Sequence, residues 1–371
     1  MAAACGAYFT LLVGADGDMY SMGKCKTEVG QGNSVGPRIS KYISCFGGQQ
    51  VETVAAGGAS GGVVTKNGAM WNWGNKCATG RDDINLGCCP FFGHSVAMLA
   101  FGGTSCILLT KNGDVWKCGQ NDHLENPEDN TFHCVHPRRF KCQKIEMVAS
   151  GEFHKMAVDT HGTLWTWGDN LSGELCDKAA RATRTPVEIA PETFQGQKVA
   201  HVAGGNRYTM VVTENGALWG CGASNLGQTG LGNIDRTSIP KQVGITDSIF
   251  QRFGVRMTAC GQRHTLIVAM NNRLWVCGCN KNMNLGIGDP YRGDTDTCVW
   301  IPTLIPDTRN FTNENVMTVS AGYTHSVAVM CDGSVFTWGL CHAPYYSGVT
   351  APSGTGHNHN VSVPTGVRMS R

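Results

Sequence analysis

Residues Ala149 to Asn170 read ASGEFHKMAVDTHGTLWTWGDN, and their spacing decides the fold. An alanine-containing turn ends at Gly151. A second glycine, Gly162, stands eleven residues on, and a third, Gly168, six further. The apolar run Met156-Ala157-Val158 precedes the middle turn, and Leu164-Trp165-Thr166-Trp167 follows it. Trp165 and Trp167 are two apart, so in a strand they share one face. Two short apolar runs about a glycine turn predict a β-hairpin.

The same frame recurs without gaps six more times. The first glycines are Gly6, Gly57, Gly102, Gly151, Gly205, Gly261 and Gly322. The turn position holds Gly17, Gly68, Gly113, Gly162, Gly216, Asn272 and Gly333. Asn272 is the one exception, and asparagine tolerates the left-handed backbone that the turn needs. The last glycines are Gly23, Gly74, Gly119, Gly168, Gly222, Gly278 and Gly339. Three residues before each of them stands an aromatic: Tyr20, Trp71, Trp116, Trp165, Trp219, Trp275 or Phe336. The last glycines are spaced from 45 residues (Gly74 to Gly119) to 61 (Gly278 to Gly339). A period near fifty with a hairpin in each repeat predicts a β-propeller.

A third element carries proline. Pro37, Pro90, Pro137, Pro186, Pro240 and Pro302 each precede the next first glycine by 12 to 21 residues. Proline is tolerated at sheet edges, so these segments read as outer strands. Pro364 and Val367 repeat the pattern with no block after them, and the block at Gly6 has no proline strand before it. This reading predicts an all-β, seven-bladed propeller, one domain over residues 1–371, closed by N- and C-terminal segments pairing in a shared blade.

The pattern resembles the regulator of chromosome condensation repeat family, whose blades run Ala-x-Gly, His, Asp-Gly, Trp-x-x-Gly. The clearest copies are Gly151 to Asn170 and Gly322-Tyr323-Thr324-His325 with Phe336-Thr337-Trp338-Gly339. Asn225-Leu226-Gly227-Gln228-Thr229-Gly230 is similar to the family's Asn-x-x-Gly-Gln-Leu-Gly loop. The resemblance covers essentially the whole chain and implies a seven-bladed propeller of four-stranded blades. Ser60 and Ser105 replace the family histidine in two repeats. Plant ultraviolet-B photoreceptors of the family use a Gly-Trp-Arg-His-Thr motif. The matching stretch here is Gly261-Gln262-Arg263-His264-Thr265, which argues against a tryptophan light sensor.

Composition agrees with a repeat array. Glycine supplies 49 of 371 residues, and charged residues only 16%. The formal net charge of +2 demands neither nucleic acid nor an anionic membrane. The 18 cysteines lack zinc-finger spacing, and several replace Trp or Met of neighbouring repeats. They read as small buried hydrophobes and reduced thiols of an intracellular protein, nuclear or cytoplasmic. The N-terminus lacks the basic region of a signal peptide, and no apolar run is long enough to span a membrane.

Candidate chemistry is sparse. His154, His264 and His325 share one repeat position with Phe9, Ser60, Ser105 and Tyr208, which favours structural histidines over a metal site. His133, Cys134, His136 and Cys142 cluster locally but align with a blade edge. Nucleophile-elbow, phosphate-loop and zinc-protease motifs are absent, so no enzyme activity, cofactor or metal is expected. The longest connection, Gly278 to Gly322, escapes the repeat's demands. Its Asp289, Tyr291, Arg292, Asp294, Asp296 and Trp300 are candidate partner contacts, with the basic pair Arg138 and Arg139 elsewhere. The expected function is a non-enzymatic protein-interaction scaffold. The alternative, implied by the resemblance, is a chromatin-associated nucleotide exchange factor for a Ran-like small GTPase. The near-neutral charge does not support chromatin.

Overall fold

The computed structural model describes residues 1–23, 40–41, 46, 48–74, 95–119, 132–178, 182–232, 234–244, 252–288, 298–309, 311–340 and 361–367. Every predicted hairpin forms. In the repeat quoted above, His154–Asp159 pairs antiparallel with Leu164–Gly168, with His154 opposite Gly168. The turn glycine Gly162 has φ +78°, and Asn272, its counterpart, has φ +63°. The substitution keeps the left-handed conformation that the hairpin requires.

Seven sheets result. Blade 1 runs from Ala2 to Lys41, blade 2 from Val51 to Gly74, blade 3 from Val96 to Val135 and blade 4 from Ile145 to Ile189. Blade 5 runs from Val199 to Gln242, blade 6 from Val255 to Leu304 and blade 7 from Val316 to Gly366. Six blades have four strands in chain order, from an inner strand to an outer one; blade 2 has three described strands. The seven-bladed propeller predicted from the sequence is the fold.

The shared closing blade is not. Val361–Gly366 pairs with Val335–Gly339 of its own blade, with Thr365 opposite Thr337. Blade 1 supplies its own inner strand, Ala2–Cys5, which pairs with Phe9–Val13. The prediction assigned each proline strand to the block after it, whereas it is the outer strand of the block before it. Side chains close the ring instead. Cys5, Leu12, Tyr20 and Met22 of blade 1 pack with Val327, Val329 and Val335 of blade 7. The Cys5 amide donates to Ser320 Oγ at 2.9 Å.

Pro186, Pro240, Pro302 and Pro364 do lie in outer strands. Pro137 does not. It opens a short 3-10 helix, Pro137–Phe140, after the outer strand His133–Val135. Its counterpart in blade 4 is Pro191–Phe194. Each helix drives a phenylalanine into the next junction. Phe140 meets Trp165 edge-on at 5.6 Å, and Phe194 meets Trp219 at 5.7 Å. Pro37 and Pro90 lie outside the described residues.

Polar bolts cross the buried junctions. His154 Nε2 lies 2.8 Å from Thr209 Oγ1, His264 Nε2 2.9 Å from Ser326 Oγ, and His325 Nε2 2.9 Å from Thr10 Oγ1. Each pair joins one blade to the next, so the structural reading of these histidines holds. Tyr208 takes the role in blade 5 by donating to the His264 carbonyl at 2.6 Å. Where blade 3 has Ser105 instead of histidine, the buried Lys155 of blade 4 reaches back to it at 3.0 Å.

Ten described cysteines are free. Cys176 and Cys221 form a disulfide between blades 4 and 5, a departure from the reading of reduced thiols. Among the described residues no helix is long and apolar enough to cross a membrane.

Candidate interaction face

The inner strands surround a central channel and end at the first glycines. Gly151 sits where a side chain would reach the Gly205 carbonyl of the next blade at 2.8 Å, so the rim admits only glycine there. Backbone bonds join the rim: Gly103 N to Glu152 O at 3.1 Å, Glu152 N to Gly205 O at 3.1 Å, Ala7 N to Gly58 O at 2.7 Å. These contacts fix the backbone of the residue after the first glycine in blades 1, 3 and 4.

The two residues after each first glycine form a different pair in every blade, although Thr104 matches Thr324 and Arg207 matches Arg263: Ala7-Tyr8, Gly58-Ala59, Gly103-Thr104, Glu152-Phe153, Asn206-Arg207, Gln262-Arg263 and Tyr323-Thr324. The mouth is therefore lopsided. Small residues leave it bare over blades 2 and 3, while larger side chains crowd it from blade 4 round to blade 1. The Tyr323 hydroxyl donates to Glu152 Oε1 at 2.9 Å across the channel. Asn206 Nδ2 donates to the other carboxylate oxygen, and Tyr8 meets Tyr323 edge-on with ring centroids 6.1 Å apart. Burial and the Glu152 carboxylate push the Tyr323 phenol above its ordinary pKa. Beneath this polar bridge the channel encloses about 250 Å³.

Beside the bridge, the Arg207 guanidinium stacks 4.5 Å from the Phe153 ring. It lies 3.6 Å from Glu174 Oε1 and 3.9 Å from Asp169 Oδ2. The Ser172 amide donates to Glu174 Oε2 at 2.7 Å. Burial raises the Glu174 pKa; backbone amides and Arg207 pull it back in part.

The residues singled out from the sequence fall elsewhere. Arg138 and Arg139 are exposed in the 3-10 helix at the opposite, hairpin-turn end of the ring. Trp300 lies in the outer strand of blade 6, and its carbonyl accepts from Gly232 N at 2.9 Å. It is half-buried against the blade 5 loop, which is not near Arg138 and Arg139. Asp289, Tyr291, Arg292, Asp294 and Asp296 lie outside the described residues. Their described flanks are at the mouth end: Cys298 pairs with Cys279, beside Gly278, and Gly288 N bonds Ser362 O. In the local His–Cys cluster, His136 Nδ1 accepts the Arg138 amide as a helix cap, and Cys134 sits on an exposed strand. No group of His, Cys, Asp and Glu among the described residues could hold a metal ion. The sequence reading passed over Glu152, Arg207, Arg263 and Tyr323. The signal was present, since chemistry changes from blade to blade beside a glycine that does not.

The family model described as RCC1-like domain matches residues 85–369. The chain belongs to the RCC1-like family. The RCC1-like chain is 31% identical over 197 residues to Ultraviolet-B receptor UVR8 of Arabidopsis thaliana, covering 53% of this chain and 41% of the receptor. It is 28% identical over 225 residues to Protein RCC2 homolog of Xenopus laevis, covering 55% and 42%. Each match thus spans about two-fifths of the relative's length. Among solved structures, Prp20p from Saccharomyces cerevisiae has TM-score 0.78 at 21% identity over 95% of this chain and 86% of that one. This structural likeness concerns the fold.

Proposed function

We propose that the chain is a non-enzymatic scaffold that recognises a protein partner with the mouth face of blades 4 to 7. The observation that carries this reading is the pair of positions after each first glycine. The ring dictates everything around them and leaves their chemistry open. A rigid scaffold with unlike side chains on one face suits recognition, because little is lost in ordering it on binding. The connection bearing Asp289, Tyr291, Arg292, Asp294 and Asp296 leaves from and returns to this face, and the strand of Trp300 begins there at Cys298, so these residues belong with it in the proposal. Arg138 and Arg139 form a separate basic patch on the opposite end.

A photo-crosslinking residue at Gln262 tests the reading against the same residue at Arg139. The expected outcome is partner adducts from native extract at Gln262 and few at Arg139. The reverse pattern would move the contact to the turn face. A second reading, nucleotide exchange, draws on Prp20p, whose structure was described with its binding to Gsp1p and histones. Nucleotide release from a Ran-type GTPase should be unaltered by this chain. Accelerated release would replace the scaffold reading with exchange.

A further inference from the structure

The mouth face carries a second cavity, apart from the channel. It lies over blades 5 and 6, encloses about 580 Å³, and has Arg207, Arg236 and Arg263 on its wall. Asp235 is the one acidic residue among its described lining. Arg207 and Arg263 occupy the same repeat position in adjacent blades. Their carbonyls accept the Ala223 and Cys279 amides, each at 2.8 Å, so both side chains spring from backbone pinned by a strand end. Arg207 forms the back of the cleft. Its Nη1 is buried and makes no hydrogen bond, despite the nearby Glu174 carboxylate. Arg236 and Arg263 are exposed, and their guanidinium groups have no ion-pair partner among the described residues. Asn206, Asn225 and Gln262 complete the wall with neutral amides, which can both donate and accept.

We propose that this cleft takes an acidic segment of a protein partner. Carboxylates would engage Arg236 and Arg263, and the amides would meet the segment's backbone. The proposal rests on the scaffold reading above and names the chemistry of its partner. A guanidinium presents a fork of donors that matches a carboxylate in two parallel bonds. Carboxylates fit better than a phosphate backbone for a reason of charge. Asp235 stands on the wall, and Asp169 and Glu174 stand behind Arg207. A dense run of phosphates would meet all three, whereas spaced single charges can avoid them.

The probe is a short fluorescent peptide alternating glutamate and serine, followed by anisotropy on the full chain at low and high salt. A glutamine–serine peptide and a single-stranded oligonucleotide serve as comparisons. Expected are saturable binding of the glutamate peptide, weakening with salt, and a loss of about tenfold or more in the Arg236→Ala/Arg263→Ala double variant. The melting temperature of that variant should match the parent, since both side chains are exposed. Equal binding of the glutamine peptide, displacement by the oligonucleotide, or an undiminished double variant would each overturn the proposal. The crosslinking at Gln262 separates the two readings. Adducts that the glutamate peptide fails to compete away would sink the acidic segment and keep the scaffold. Peptide binding without adducts would do the reverse.

Discussion

A single repeat position shows how burial sets the chemistry of a residue. Thr209 Oγ1 donates to the Glu174 carbonyl at 2.8 Å, and Ser326 Oγ to that of Asn284 at 2.7 Å. Each hydroxyl has one proton, so it must accept from the histidine facing it. Nε2 of His154 and His264 therefore carries the proton. Nδ1 is left buried without a partner in His154, His264 and His325 alike. Protonating it would place a charge in the core, and burial accordingly lowers the pKa to about 3 for His154 and His264 and about 4 for His325. The ordinary value is 6.5. Below that pH the unfolded chain binds protons that the folded chain refuses. Stability is thus complete above about pH 6.5 and falls as the pH drops, until the folded histidines titrate near 3 to 4. Each contributes a slope of about 1.4 kcal/mol per pH unit in that window. Glu174, with its raised pKa, works in the opposite direction and offsets part of the loss. Burial lowers the His201 pKa in the same direction as those of the three histidines. Denaturant titrations between pH 7 and pH 4.5 should show this decline, and His264→Gln should make its slope shallower by the share of one histidine. A slope unchanged in that variant would mean that His264 is charged in the fold.

At the scale of the element, the hairpins were legible and the inner strands were not. Asn-Gly and Asp-Gly turns between alternating residues announce a hairpin from local sequence alone. The inner strands of blades 2 to 7 carry a bulge after their first residue, whereas that of blade 1 pairs in unbroken register. Registers shift between Ile145 and Met147, Val199 and His201, and Val255 and Met257. The bulge sets buried residues three apart, as Ile145 and Val148 or Val199 and Val202, and so erases the two-residue alternation by which a strand is read. The channel lining is small and half-buried, which removed the second signal. The mouth residues carry no such signal, because the chemistry beside the first glycines follows no period. The loop between third and outer strands shows the same limit. Gly230 has φ +71° and Gly286 +69°, and a side chain at these sites would face Cys277 Sγ at 3.3 Å or Trp338 Nε1 at 2.8 Å in the next blade. Cys176 holds the matching site in blade 4, with φ +59°, and its facing residue is Cys221. A cysteine in a left-handed site costs about 1 kcal/mol relative to glycine. A bridge over a sequence separation of 45 offsets this with about 2–4 kcal/mol. Adding a small dithiol should therefore lower the melting temperature of the parent and leave Cys176→Gly unaffected. In the presence of reductant the variant should be at least as stable as the parent. A parent indifferent to the dithiol would show that the two sulfurs are not bonded in solution.

For the whole molecule, the sequence made the period plain and hid the phase. A block with a missing proline strand at one end and a spare at the other is what a shared closing blade produces. The same residue pattern arises when the proline strand follows its own block, since spacing does not say which neighbour a strand joins. The difference lies in registers such as Thr337 with Thr365, which no periodicity encodes. The consequence is energetic. A shared blade would close the ring with backbone hydrogen bonds. Here the junction of blades 7 and 1 must hold by the means of every other junction, through apolar packing and a polar bolt. Leu12 is 1% exposed within that closing cluster, and Leu108, at the junction of blades 2 and 3, is 0% exposed. Removing a buried leucine side chain costs about 2–5 kcal/mol, according to how far the surroundings collapse. If the ring is closed in solution, Leu12→Ala and Leu108→Ala should lower the melting temperature by similar amounts. In an open array the first and last blades would each expose a face. Leu12 would then already meet water, and its truncation would cost little. A shift at Leu12 far smaller than at Leu108 would therefore mean that blades 7 and 1 part in solution. Equal shifts would mean that packing suffices to shut a ring whose ends share no strand.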